Sequence, residues 1–173
     1  MNTQTQSANG DRATRKERGF SLIELLIVVA IILIIAAIAI PNLVKARLAA
    51  NEASAASSVR SIGTAEVAYA ATYTVGYGTL ANLGGAVPCT SNVATSCLLD
   101  PVLSAGTKSG YVITAAPIGG GAVAFVAAAV PINVGITGQR TFCNDETGVI
   151  RFDITGGGAP ATDAACQVFP RIQ

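Results

Sequence analysis

Between Phe20 and Ile40 only Ser21 and Glu24 are polar, and from Leu25 to Ile40 no polar side chain occurs. As an α-helix rising 1.5 Å per residue, this run is about 31 Å long, the thickness of a bilayer's hydrocarbon core. A plain transmembrane anchor, a secretory signal peptide and a segment with a specific use for Glu24 all start from such a run. The signal-peptide reading has a charged start at Arg15–Arg18 and a small-x-small site at Ala37-Ile38-Ala39. Against it stand the interruption by Glu24, the length of the run and the helical pattern that continues beyond Pro41.

Glu24 is the residue that discriminates. A carboxylate costs about 2.5 to 3.5 kcal/mol at the centre of a membrane helix and less near its end, so it calls for a partner. A backbone group or a lipid headgroup at the interface is one possibility, and a nearby positive charge is the other. No basic side chain lies between Arg18 and Lys45. A cut after Gly19 would create a cationic amine on Phe20, one helical turn from Glu24.

The whole chain of 173 residues carries 11 basic and 10 acidic residues. Four basic and two acidic residues fall in Met1–Gly19, an arrangement that retains the N-terminal end of a membrane segment in the cytoplasm. The near-neutral remainder has no charge excess to attract nucleic acid, and no specific nucleic-acid site is evident. The absence of His removes the usual general base, and no Lys- or carboxylate-based catalytic constellation replaces it, so the chain reads as a non-enzyme with no cofactor. Gly106-Thr107-Lys108-Ser109 has the wrong spacing for a phosphate loop and reads as a turn. Asp145, Glu146 and Asp153 do not have a calcium-loop spacing either, and the turn reading is preferred to a metal site.

Lys16-Glu17-Arg18-Gly19-Phe20-Ser21-Leu22-Ile23-Glu24-Leu25-Leu26 resembles the class III signal of type IV pilins and of the related type II secretion pseudopilins. That resemblance implies cleavage between Gly19 and Phe20 by a prepilin peptidase that also N-methylates Phe20. It implies an assembly role for Phe20 and Glu24, an inner-membrane precursor with a cytoplasmic leader and a periplasmic head, and an assembly platform that builds a homopolymer through the N-terminal helices. A glycine before the cut lets an enzyme approach the backbone closely. The alternatives are a pseudopilin of a type II secretion machine and, outside the family, a secreted or anchored binding domain that never polymerises.

Pro41 is expected to kink the helix between Ile38 and Lys45. From Leu43 to about Thr74 an apolar stripe of Ala46, Ala49, Ala53, Ala56, Val59, Ile62, Tyr69 and Tyr73 faces a small domain, with Lys45, Arg47, Asn51, Glu52, Ser57 and Arg60 on the other sides. Tyr69, Tyr73 and Tyr77 follow at four-residue intervals and read as core packing rather than an electron-conducting track. Gly76 and Gly78 end the helix. Strand-like runs follow at Tyr111–Ala116, Ala122–Val130, Gln139–Asn144 and Val149–Ile154, separated by turns at Pro117–Gly121 and Asp145–Gly148.

The expected fold is α+β: a long N-terminal helix, apolar in its transmembrane half and amphipathic in the other, packed on an antiparallel sheet of about four strands, as in pilins. The layout is leader 1–19, apolar helix 20–42, amphipathic helix 43–74, connector 75–110, sheet 111–154 and tail 155–173. The four cysteines lie beyond the membrane segment, on the oxidising side, where disulfides persist. They allow three pairings. The nearest-neighbour scheme, Cys89 with Cys97 and Cys143 with Cys166, is the expectation, the second bridge stapling a glycine-rich tail to the third strand.

Overall fold

The computed structural model describes residues 19–120 and 122–172. The leader up to Arg18, Gly121 of the expected turn and the terminal Gln173 lie outside the described residues. The chain divides into two units, Met1–Ile40 and Pro41–Gln173.

In the first unit the backbone is helical from Leu22 onward, and every side chain from Phe20 to Ile35 is exposed. Ile and Val are mediocre helix formers in water. In hydrocarbon each N–H and C=O must be bonded within its own segment, and the helix becomes the local solution. The mean hydropathy of an 18-residue window reaches 3.3, and among the described residues this is the one helix long and apolar enough to cross a membrane.

Helix α1 spans Leu22–Tyr73 and remains helical through Pro41 into the second unit. Alanine propensity favours its later turns. It stops where Thr74 and Gly76 take positive φ values of 56° and 87°. Its buried face keeps Val59, Ile62 and Tyr69 of the expected stripe, with Ala56 and Tyr73 packed against the core, and adds Ala55, Ala65, Glu52, Ser58 and Glu66, whereas Ala46, Ala49 and Ala53 are exposed. Alanine fits a helix equally well on either side, so alanine spacing alone misplaced the N-terminal part of the stripe.

The connector holds more structure than a loop. Helix α2 (Leu80–Leu83) opens with a reciprocal capping box between Thr79 and Asn82, and α3 (Pro101–Ser104) has Asp100 as N-cap and Pro at its start. Strand β1 (Thr107–Lys108) then pairs with β2 (Tyr111–Ile118). The two residues between them, Ser109 and Gly110, both have positive φ, the backbone of a tight hairpin turn whose twist matches its strands.

β3 (Ala124–Pro131), β4 (Thr141–Asp145) and β5 (Arg151–Asp153) complete an antiparallel five-stranded sheet in the order β1-β2-β3-β4-β5. The extra strand relative to the expected four is β1, too short to show a period. Along β2, Tyr111, Ile113 and Ala115 are buried while Val112, Thr114 and Ala116 are exposed. Tyr111, Ile113, Phe125, Ala127, Ala129 and Phe142 pack with Val59, Ile62 and Tyr69 of α1 in the main core. Ala128 and Cys143 form a second small cluster with Cys166 and Phe169. Both faces of β3 and β4 are therefore covered, which suits the continuous apolar run of β3, while β4 buries the polar Thr141, Asn144 and Asp145 beside Phe142 and Cys143. The tail carries a short helix, α4 (Asp163–Gln167), N-capped by Thr162.

Candidate functional site

Gly19 and Phe20 precede α1, and both are exposed. A Cβ built on Gly19 meets nothing within 4 Å, so no packing among the described residues calls for glycine at this position. Glu24 lies in the first helical turn, where its Oε2 accepts the Ser21 N–H at 3.3 Å. This is half of a capping box, the side chain of the third helical residue reaching back to the residue before the helix. Among the described residues of a single copy the carboxylate thus has a backbone partner while the apolar side chains around it are exposed.

In the second unit the α1–sheet contact is built on a residue that the apolar stripe placed toward solvent. Glu52 is 8% exposed. Its Oε1 accepts the backbone N–H groups of Gln139 and Arg140 at 2.9 and 3.2 Å, and its Oε2 accepts Arg140 Nε and Nη2 at 2.9 and 2.6 Å. The Arg140 guanidinium also lies 5.6 Å from the Phe142 ring centre and 5.3 Å from that of Phe152. Burial alone would raise the Glu52 carboxyl, but Arg140 and the two N–H groups outweigh it and hold the carboxyl below its ordinary value.

Glu66, which the sequence reading did not single out, is fully buried. One oxygen accepts the Gly78 N–H at 2.8 Å, and the other has no hydrogen-bond partner among the described residues. Burial pushes this carboxyl up to about 7 against the single opposing bond from Gly78. Below its ordinary value of 4.5 the group is protonated whether the chain is folded or unfolded. Between that value and about 7 the unfolded chain loses the proton while the folded chain retains it, so stability falls as pH rises. Glu66→Gln keeps the acceptor for Gly78 and removes the charge. Thermal unfolding of the full chain in detergent should show the variant more stable by about 3 kcal/mol at pH 8 and unchanged at pH 4.5. Parallel pH profiles for the two proteins would refute this account.

The disulfides are Cys89–Cys97 and Cys143–Cys166, each with Cα atoms 6.0 Å apart. The second bridge joins β4 to α4. The first closes a loop that two tyrosines tie to α1: Tyr69 Oη donates to the Val93 carbonyl at 2.6 Å, and Tyr73 Oη lies 2.7 Å from Ser91 Oγ. The Tyr69 and Tyr73 rings meet at a tilt with centres 5.0 Å apart, while Tyr77 packs on Phe125 at 4.8 Å. Packing accounts for all three rings.

The remaining candidates organise local backbone. Asp145 accepts from both the backbone and the hydroxyl of Thr147, and Gly148 closes that turn with a 3.0 Å bond to the Asp145 carbonyl. Asp153 accepts from the Thr155 N–H and hydroxyl and from the Gly157 N–H. Among the described residues no group of three or more metal-type side chains gathers.

Residues 14–40 match the family described as "Prokaryotic N-terminal methylation motif". The chain is 45% identical over 58 residues to the type IV major pilin protein PilA of Myxococcus xanthus, covering 34% of this chain and 26% of that protein. It is 63% identical over 38 residues to the type IV wide pilus major component PilA4 of Thermus thermophilus, covering 22% of this chain and 29% of that one. The chain thus spans little more than a quarter of the length of these curated relatives. No solved structure matches it. The methylation motif leads into a helix whose later turns are backed by an antiparallel sheet, and with the pilin relatives this makes the chain a member of the type IV pilin and pseudopilin superfamily.

Proposed function

We propose that the chain is the structural subunit of a type IV pilus-like filament, stored as an inner-membrane precursor and polymerised through its N-terminal helix. The observation that carries this reading is the bare apolar helix of the first unit. Its exposed side chains are tolerable in lipid, and equally so when surrounded by the same helices of other copies. In this reading a prepilin peptidase cuts between Gly19 and Phe20 and methylates the new amine, an assembly platform moves subunits from membrane to filament, and the head faces the periplasm and later the cell surface. Both relatives are named as major pilus components, which favours a surface pilus over a secretion pseudopilin. Pro41 lacks the N–H that the Ala37 carbonyl would otherwise receive, so the helix has a place to loosen when the filament forms.

Mass spectrometry of the N-terminal peptide from sheared filaments should find a mature chain starting at N-methylated Phe20. A mature N-terminus at Ile40 would instead establish a secretory signal. Gly19→Leu should leave uncleaved precursor in the membrane, and normal processing of that variant would sink the assignment of the cleavage site.

A further inference from the structure

The two disulfides have opposite surroundings. Cys143 and Cys166 are fully buried and pack with Ala128 and Phe169. Cys89 and Cys97 are both exposed. Exchange begins when an incoming thiolate reaches one of the bridged sulfurs, so access alone sets the two bridges apart. None of the residues between Cys89 and Cys97 is charged, and the loop itself presents no carboxylate to repel an anionic thiolate.

The loop closed by the exposed bridge is also held without it. The Ser96, Cys97 and Leu98 N–H groups donate to the carbonyls of Asn82, Gly84 and Leu83 at 2.7, 3.1 and 2.9 Å. Inside the loop the Asn92 N–H donates to the Thr95 carbonyl at 2.9 Å, the Thr95 hydroxyl to the Thr90 carbonyl at 3.1 Å and the Ser91 hydroxyl to the Ser96 carbonyl at 3.1 Å. Together with the bonds from Tyr69 and Tyr73, these tie both flanks of the loop to α1 and α2. The bridge spans 8 positions against 23 for Cys143–Cys166, and a shorter closed loop removes less freedom from the unfolded chain. Cys97 has a φ of 60°, in the left-handed region that a residue with a Cβ occupies at a cost. Opening the bridge removes one of the constraints that keep it there.

We infer that Cys89–Cys97 is a thiol-exchange site, opened and closed again by thiols without loss of the fold, whereas Cys143–Cys166 is a permanent staple. In the first step a thiolate attacks one of the two sulfurs. A new S–S bond to the incoming thiol forms as the Cys89–Cys97 bond breaks, and the other cysteine sulfur leaves as a thiolate that takes up a proton. A second thiolate then attacks the mixed disulfide and releases both incoming thiols as one disulfide. Two electrons have passed from them to the protein, which is left with two free cysteines. The backbone bonds of the loop keep these two cysteines close together, so an added disulfide drives the same steps in reverse. The inference does not depend on the filament reading.

The test is incubation of the folded full chain in detergent with reduced glutathione, followed by alkylation with iodoacetamide and peptide mapping by mass spectrometry. Cys89 and Cys97 should become glutathionylated or alkylated at least about tenfold faster than Cys143 and Cys166. The head should retain its protease resistance, and oxidised glutathione should restore the Cys89–Cys97 bridge. A Cys89→Ser/Cys97→Ser variant should stay folded, with Cys143–Cys166 as slow to react as in the wild type. Equal rates at the two bridges, faster opening of Cys143–Cys166, reaction of Cys89–Cys97 only after denaturant is added, or loss of protease resistance when that bridge opens would each overturn the inference.

Discussion

Glu24→Val should insert into the membrane at least as well as the wild type, be cleaved normally, and still give about a tenfold or greater reduction in sheared filament. Insertion improves because the carboxylate is the one ionisable group in the apolar run. Assembly fails because, in the proposed mechanism, that carboxylate meets the Phe20 amine of a neighbouring copy after cleavage. Loss of only about 1.4 kcal/mol from each docking step suffices for a tenfold change. An incoming helix at the wrong height leaves both charges unmatched, so the pair acts on register more than on net stability.

The bond from Ser21 to Glu24 supplies a competing explanation and a way to remove it. If Glu24 were needed only to cap the first turn, Glu24→Gln would assemble normally, because an amide oxygen accepts the Ser21 N–H just as a carboxylate does. If the charge matters, Gln fails nearly as badly as Val. The measurement is filament yield at equal membrane pools of processed subunit. Wild-type yield from either variant would show that the charge has no part in assembly.

The long helix, its apolar N-terminal half and the antiparallel sheet were legible because each is marked by a period or by an uninterrupted apolar run. Strand ends were less so: β2 runs through Pro117 to Ile118 and β5 shrinks to Arg151–Asp153, since hydrogen-bond pairing, not local propensity, sets where a strand stops. Glu52 and Glu66 were illegible for a different reason. Their partners, Arg140 and Gly78, are 88 and 12 positions away. A helix pattern treats a glutamate as a solvent marker unless the chain elsewhere returns a donor to it. Asn144 was similarly hidden, because its burial depends on the close approach of β4 to Gly63, where any Cβ would collide with its amide. The residues proposed for processing and assembly rest on a signal that is contiguous in sequence and needs no distant partner.

Glu52→Ala should destabilise the head by about 3 kcal/mol, near the lower end for breaking a buried ion pair, because the Arg140 side chain is still 40% exposed and regains some water. The loss goes beyond one ion pair, since the backbone donors of Gln139 and Arg140 lose their acceptor at the same time. Arg140→Ala should cost less, because Glu52 keeps those two donors, and the double variant should cost less than the sum of the two singles. Acid should mimic the mutation: the Glu52 carboxyl lies below its ordinary value in the folded chain, so its contribution is present above that value and lost as pH falls through the lowered one. Denaturant unfolding of the full chain in detergent at pH 7 gives the three energies directly. A Glu52→Ala cost below about 0.5 kcal/mol would place the pair among the many surface contacts that contribute nothing measurable.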